Sequence, residues 1–297
     1  MKRLTIFTPT YNRAYTLPKL YNSLCEQTCQ DFEWLVIDDG STDHTKELVK
    51  GWINQRNICI RYFFQENGGK MRAYNKAISL TETELFVCID SDDLLENEFV
   101  LKDSLAFWDK YLHNGFPSDV NAKYVAGWVS LRKMPFSPDE ISILPYCDKL
   151  VDIASSIKGE TTIFIRTNIL KSYRYRIHPN ENFIPDSYIY DKIDEDYLFL
   201  FHPYYSQVCE YKDDGLTLTW RRKLFDNPYS YREYHAQRIR LKKSDRWRSV
   251  ICYISISIYI GDGSLWRETP DLLLTMSLFP IGCLKYIYDR YMLNKEK

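Results

Sequence analysis

Four short polar clusters in the first third of the chain carry residue types suited to a nucleotide, its phosphates and a divalent cation. They are Thr8-Pro9-Thr10-Tyr11-Asn12-Arg13, Asp38-Asp39-Gly40-Ser41-Thr42-Asp43, Asn67-Gly68-Gly69-Lys70 and Asp90-Ser91-Asp92-Asp93. Carboxylates are hard oxygen donors, and one or two of them with substrate phosphates make the usual Mg²⁺ or Mn²⁺ site. Asp38 and Asp39 fit a turn after a strand, with Gly40 in a permissive conformation and a carboxylate facing a base or ribose. Gly68 and Gly69 allow the backbone to approach a ligand closely. Lys70 adds a cation at a helix start, where the helix dipole disfavours it, and such local conflicts cluster at sites. Neither GxGxxG nor GxxxxGK[ST] occurs, so neither a Rossmann dinucleotide site nor a P-loop is indicated.

Clusters like these meet only if strands end along a common edge. Leu4 to Thr8, Trp34 to Asp38, Ile60 to Phe64 and Leu85 to Ile89 read as short buried strands. Helical spacing follows each of the first three. Leu17, Leu20 and Leu24 come after a Thr16 cap with Pro18 in the first turn. Leu48, Val49, Trp52 and Ile53 share one face over about 43–54, and Ala73, Ala77 and Leu80 share another over 70–80. This alternation predicts an α/β fold with a mostly parallel central sheet and right-handed crossovers, and ligands bind at the carboxyl ends of such strands.

The chain has 297 residues, 45% of them hydrophobic, enough for one large domain or a domain with an appendage. A formal net charge of −1 gives no reason to expect nucleic acid. The eight cysteines are scattered without a CxxC pair, which argues against structural zinc and a disulfide framework and fits a cytoplasmic protein. The apolar run after Met1-Lys2-Arg3 stops at Phe7, too short for a signal peptide, and no uninterrupted apolar stretch predicts a clear membrane span.

Beyond residue 98 the pattern changes. A helix is expected over 99–111, strands over 124–131 and 161–166, a proline-rich loop over 133–150, a helix over 187–201 and a strand over 208–211. Residues 250–260 alternate Ile with Ser255 and Ser257, which fits strand or helix. The apolar segment 272–288 contains Pro280, Gly282 and Lys285 and is followed by Arg290, Tyr291 and Lys295. That composition suits either a packed terminal helix or one lying in a membrane interface.

In order and spacing, the four clusters, with Asn75 and Ala77, resemble those of family 2 glycosyltransferases of the GT-A fold. The likeness is clear over about residues 1–130. It implies a GT-A-like domain over 1–225, with a nucleotide-sugar-binding half (1–130) and an acceptor half (131–225), followed by a helical, apolar C-terminal extension (226–297), which its composition suits either to packing on the domain or to a membrane interface. By the same resemblance, Thr8, Pro9, Tyr11 and Arg13 line the nucleotide pocket, Asp39 faces the uracil with Asp38 in support, and Gly69 and Lys70 lie near base or phosphates. Asp90 and Ser91 approach the ribose, and Asp92 holds Mn²⁺ or Mg²⁺. The implied reaction is inverting transfer from a nucleotide-diphosphate sugar, a UDP-sugar, to a glycan or polyprenyl-diphosphate-linked acceptor. That reaction serves capsule, exopolysaccharide or O-antigen synthesis at the inner face of the plasma membrane. Asp186, just before a helix, matches the position of the catalytic base; Glu160, Glu181 and the Glu195-Asp196 pair are its alternatives. Gly159-Glu160-Thr161 and Asp213-Asp214-Gly215-Leu216-Thr217 also echo the family without an assigned role. Because Pro185-Asp186 departs from the usual Glu-Asp or Pro-Glu, a catalytically inactive nucleotide-sugar-binding subunit is the alternative reading. Trp128 and Trp220 are candidates for stacking on a sugar, with core packing the competing fate.

Overall fold

The structure is a computed structural model that describes residues 2–114, 121–134, 137, 145–157, 160–209, 216–243 and 245–295. Gly159, Asp213-Asp214-Gly215, most of the proline-rich stretch and residues 210–211 lie outside the described residues. The chain forms two compact units, Met1–Arg174 with Asp196–Tyr211, and Tyr175–Glu195 with Lys212–Lys297. The segment 175–195 and residues 212–225 thus group with the C-terminal helices, whereas the sequence reading drew a boundary at residue 225.

Strands and helices alternate through the first unit as β1 (Leu4–Thr10), α1 (Leu17–Cys25), β2 (Phe32–Asp38), α2 (Thr45–Gln55), β3 (Ile60–Phe64), α3 (Lys70–Leu80) and β4 (Leu85–Cys88). Then come β5 (Leu94–Leu95), α4 (Val100–Asn114), β6 (Val125–Lys133), β7 (Tyr146–Asp148), α5 (Leu150–Ser156), β8 (Thr161–Arg166) and α6 (Thr167–Leu170). After α7 (Ser187–Asp196) the chain adds β9 (Leu198–Val208) to this sheet, whose order is β3-β2-β1-β4-β8-β6-β9-β5, with β7 also on β9. Strands β3, β2, β1 and β4 run parallel, so their carboxyl ends share one edge. The remaining pairs are antiparallel except β6 with β9.

Both faces of the parallel half are covered, which is why β1 and β2 are buried throughout. Leu4, Ile6 and Trp34 pack in one cluster with Leu20, Trp52 and Leu101 from α1, α2 and α4. Tyr21 stacks on Trp52 at 4.2 Å between ring centroids. On the opposite face, Tyr74 of α3 meets Phe7 edge-on at 5.3 Å. Trp128 is fully buried and stacked on Phe164 at 4.5 Å, a core role that leaves no face for a sugar.

The helix expected over 187–201 ends at Asp196, and β9 takes over from Leu198. Leu198 to Phe201 is a short, unbroken apolar run, whose periodicity cannot separate a buried strand from a helix. Inside the expected loop β7 forms, and α5 begins at the last residue of that loop. Thr16 stands at the cap of α1, but its side chain does not cap the helix and instead bonds the Arg13 carbonyl.

The second unit holds most of α7 together with α8 (Leu216–Asp226), α9 (Pro228–Arg240), α10 (Arg246–Ile260), α11 (Leu265–Glu268) and α12 (Leu272–Lys295). Segment 250–260 is therefore helical, and its serines turn inward: Ser255 Oγ donates to Asp289 Oδ2 at 2.8 Å. Arg238 ties α9 to Asp191 at 2.7 Å and to Asp245 at 2.8 Å. Gly282 lies directly against Ile254, where a Cβ would sit 2.4 Å from its Cγ2. Helix α12 is long and apolar enough to cross a membrane by length and composition, where the sequence reading expected no clear span.

In β6, a Cβ on Gly127 would stand 2.0 Å from the Phe164 carbonyl oxygen of β8. Gly127→Ala should therefore push β6 away from β8 and lower the unfolding free energy by about 2 kcal/mol or more, read by urea denaturation of both proteins.

Candidate functional site

The four clusters of the sequence lie at the carboxyl ends of β1, β2, β3 and β4 and in the loops that follow them. Asn12 and Asp39 clamp those loops together. Asn12 has φ 52; its Oδ1 accepts from Thr42 N at 2.8 Å and Asp43 N at 3.3 Å, while its own N–H donates to Ser41 Oγ at 2.9 Å. This joins the β1 loop to the β2 loop. Asp38 is buried and turned into the protein, where it accepts from Ser41 N at 2.8 Å and from Tyr62 Oη at 2.6 Å.

Asp39 holds the glycine loop. Its carboxylate accepts from Gln65 Nε2 at 2.6 Å, Gly68 N at 3.0 Å and Gly69 N at 2.7 Å. The two loops touch so closely that a Cβ on Gly40, at φ +87, would lie 2.8 Å from Asn67 N. Gly69 has φ 91 and opens α3, a conformation that glycine adopts without strain. The conflict of a lysine in the first turn of α3 is resolved locally: Lys70 Nζ pairs with Asp90 at 2.9 Å.

The acidic loop after β4 gathers three carboxylates around two cations. Asp90 feels a burial penalty, yet Lys70 and Arg132 outweigh it and hold its pKa below the ordinary carboxylate range. Asp92 titrates higher than usual, through burial and the adjacent Asp90 charge. Burial pushes Asp93 up to about 7 against the pull of Arg132. Arg132, at the end of β6, lies 3.6 Å from both Asp93 and Glu160. A single arginine at a strand end gave the sequence reading no signal, nor did Gln65.

The remaining candidates of the first unit are spread along β1 and its loop. Thr8 is buried, and its Oγ1 accepts from Trp34 Nε1 at 2.9 Å. Pro9 is buried in β1, and Tyr11 is half exposed in the loop. Arg13 donates to Tyr15 Oη at 2.6 Å, and Ser91 is buried between Asp90 and Asp92.

Among the described residues, no group of three or more His, Cys, Asp or Glu side chains could hold a metal alone. Asp92 nevertheless fits a cation that draws its other oxygens from a bound diphosphate, the usual arrangement for Mg²⁺. Its neighbouring negative charge is the repulsion that a divalent ion relieves.

In the second unit, Asp186 is exposed and immediately precedes α7. Its main-chain carbonyl accepts from Tyr175 Oη at 2.8 Å. Glu181 caps α9 by accepting from Tyr229 N at 2.8 Å and Ser230 N at 2.6 Å. Glu195 pairs with Lys243 at 2.7 Å, and, in the first unit, Asp196 accepts from Tyr173 Oη at 3.3 Å while Glu160 faces Arg132.

Glycosyl transferase family 2 matches residues 5–133. Over 113 residues the chain is 34% identical to the poly(ribitol-phosphate) beta-N-acetylglucosaminyltransferase TarS of Staphylococcus aureus, covering 37% of this chain and 20% of that protein. It is 27% identical over 233 residues to the teichoic acid poly(glycerol phosphate) polymerase of Staphylococcus epidermidis, covering 76% of this chain and 31% of that one. The chain thus spans a third or less of the length of these relatives. The crystal structure of TarS 1-349 in complex with UDP-GlcNAc superposes with a TM-score of 0.59 at 19% identity, covering 97% of this chain and 89% of that one. The mannosyltransferase PcManGT of Pyrobaculum calidifontis, in complex with GDP-Man and Mn²⁺, gives 0.56 at 17%, covering 99% and 84%. These likenesses establish the GT-A type of fold.

If Asp39 builds the glycine loop, Asp39→Asn should raise amide exchange at Gly68 and Gly69 by about tenfold or more, because one of their charge-assisted acceptors is lost. Hydrogen–deuterium exchange resolved to 66–70 measures it. The motif order, the loops at one edge of a parallel sheet and the matched segment converge: over residues 5–133 the chain is similar to glycosyl transferase family 2.

Proposed function

We propose that the chain is an inverting glycosyltransferase that moves a sugar from a UDP-sugar to a hydroxyl of a cell-surface polymer. The observation that carries this reading is the convergence of the Asp39-clamped glycine loop, Lys70 and the Asp90–Asp93 loop on one sheet edge. An ionised carboxylate offers about four lone-pair sites; three on Asp39 are taken, and the fourth remains for a uracil N–H. Pro9, Tyr11 and Arg13 border the base, Lys70 faces the phosphates, and Asp90 and Ser91 approach the ribose. Asp92 would hold Mn²⁺ or Mg²⁺, which when bound neutralises charge on the departing diphosphate.

Asp186 takes the proton of the acceptor hydroxyl as its oxygen bonds to the anomeric carbon. The bond from that carbon to the diphosphate breaks, and UDP leaves with the electron pair. Attack opposite the leaving group inverts the centre. The activities for which TarS and the poly(glycerol phosphate) polymerase are named support a cell-wall polymer as acceptor.

The outer face of α12 supports work at a membrane. Leu273 is 80% exposed, Leu284 66% and Ile287 63%, with Met276, Tyr288 and Tyr291 beside them, while Thr275, Gly282 and Asp289 face inward. This is the reverse of a soluble helix, whose apolar stripe faces the core. Asp289, bonded to Ser255 and paired with Lys285, anchors the inward face. We place α12 in the headgroup region, Arg290 and Lys295 toward anionic lipid and a polyprenyl-diphosphate-linked acceptor in reach.

Asp92→Asn should abolish Mn²⁺-dependent UDP binding in calorimetric titration, and Asp186→Asn should keep UDP binding but lose at least about a hundredfold in transfer rate. UDP binding unchanged by Asp92→Asn, or full transfer in Asp186→Asn, sinks the corresponding role. Replacing Leu273, Leu284 and Ile287 together by Gln should cut co-sedimentation with phosphatidylglycerol vesicles by about tenfold or more, with the circular dichroism unchanged.

A further inference from the structure

At the sheet edge opposite the acidic loop, the first unit holds an open cavity of about 500 Å³. It lies where β4 begins, β8 ends and β6 begins, because β8 runs antiparallel to both. Glu84, just before β4, lines it, and Asp90 comes six residues later. At about 3.3 Å per extended residue, the two edges stand about 20 Å apart. A small ligand in this cavity therefore does not reach the acidic loop.

Three cations line the cavity: Lys123 before β6, Arg166 at the end of β8 and Lys171 just after α6. Arg166 is half-buried. Its Nη1 donates to the carbonyls of Ala122 at 3.3 Å and Val125 at 3.2 Å. These bonds fix the guanidinium plane, and Nη2 and Nε keep no partner among the described residues. A planar fork held from one side suits two oxygens of one phosphate. Lys123 and Lys171 are exposed, and neither pairs with a carboxylate among the described residues.

The carboxylates of the wall do not answer these charges. Glu84 accepts from Trp108 Nε1 at 3.0 Å and pairs with Arg3 at 3.2 Å. That leaves Glu82, which is exposed, against three cations. Thr167, also in the wall, is 4% exposed, and its Oγ1 has no hydrogen-bond partner among the described residues; a buried hydroxyl in that state asks for a reason. A metal ion would meet three like charges here, and a neutral ligand would leave them unanswered. The volume is more than a bare phosphate fills and lies in the range of small-molecule sites.

We infer that this cavity binds an organic phosphate, its phosphate group on Arg166, Lys123 and Lys171 and its carbon part toward Leu112. Phosphomonoesters of sugars or polyols share that chemistry with the phosphodiesters of a polyol-phosphate polymer. The site is separate from the loops after β1 to β4 and stands whether or not Asp92 and Asp186 have the roles given above.

The test uses the full chain at constant ionic strength. The probes are glycerol 3-phosphate, a tetrameric poly(glycerol phosphate) and, as the neutral control, glycerol. NMR titrations give each Kd for wild type, for Lys123→Gln combined with Lys171→Gln, for Arg166→Lys and for Lys70→Gln, with circular dichroism as the check on folding. The phosphate probes should bind wild type about tenfold or more tighter than glycerol. The double lysine variant and Arg166→Lys should each weaken them by about tenfold, and Lys70→Gln should leave them unchanged. Arg166→Lys keeps the charge and loses the fork. Should it fail to fold, the double variant at two exposed positions still decides. A tetramer bound about tenfold or more tighter than the monoester assigns the site to a polymer, and equal or weaker tetramer binding assigns it to a free phosphate ester. Phosphate probes that do not bind, that bind no tighter than glycerol, that keep their affinity in the double lysine variant, or that lose it only in Lys70→Gln overturn the site.

Discussion

Three carboxylates within four residues, drawn into half-buried space, set the terms for the first unit. At an effective dielectric of about 20, two unit charges about 4 Å apart interact by about 4 kcal/mol. That is of the order of a whole domain's net stability. Two cations from distant parts of the chain answer the charge of Asp90 and Asp93: Lys70 opens α3 and Arg132 ends β6. Both strand order and helix start are thereby tied to the acidic loop, because moving either element would leave a buried charge without its partner. Asp92 is held away from full compensation, the state expected of a carboxylate kept for an incoming cation.

The neighbouring loops are held by a different means. Asp39 and Asn12 act as side-chain acceptors for backbone N–H groups that would otherwise point into solvent or a ligand. The glycine loop is therefore held by the chain itself, without a ligand. Ordering a loop in advance removes an entropic cost from binding. The same bonds explain why glycine is needed at residues 40 and 69: both positions carry positive φ, and at 40 the opposing chain leaves no room for a side chain.

How much of this was legible in the sequence depended on the kind of signal. The parallel half was readable because its strands are short, largely apolar runs, the first three each followed by a helix with one apolar face, and the polar clusters sit at the strand ends and in the turns between. Asp186 was readable as a residue ahead of a helix, and α7 starts one residue later. Periodicity failed where burial is uniform. Leu198 to Phe201 could have continued a helix, and only pairing with β6 and β7 makes it a strand. Ser255 and Ser257 alternate with isoleucine as in a strand, yet both are buried in a helix, with Ser255 bonded to Asp289, a residue 34 positions away. Arg132 and the capping role of Glu181 were hidden for the same reason, since long-range pairing leaves no mark in local sequence.

The path of the chain also sets the order in which the protein can be completed on the ribosome. Strand β9 is the partner of β5, β6 and β7, yet it is made only after the chain has passed through Tyr175–Glu195, which belongs to the other unit. Until β9 emerges, β5 and β7 have no strand to pair with, and one edge of β6 is bare, the kind of edge that recruits foreign strands. The acidic loop leads straight into β5. Its carboxylates are thus set in place late in translation, when the last strand of the sheet closes over a scaffold whose loops after β1, β2 and β3 are already built.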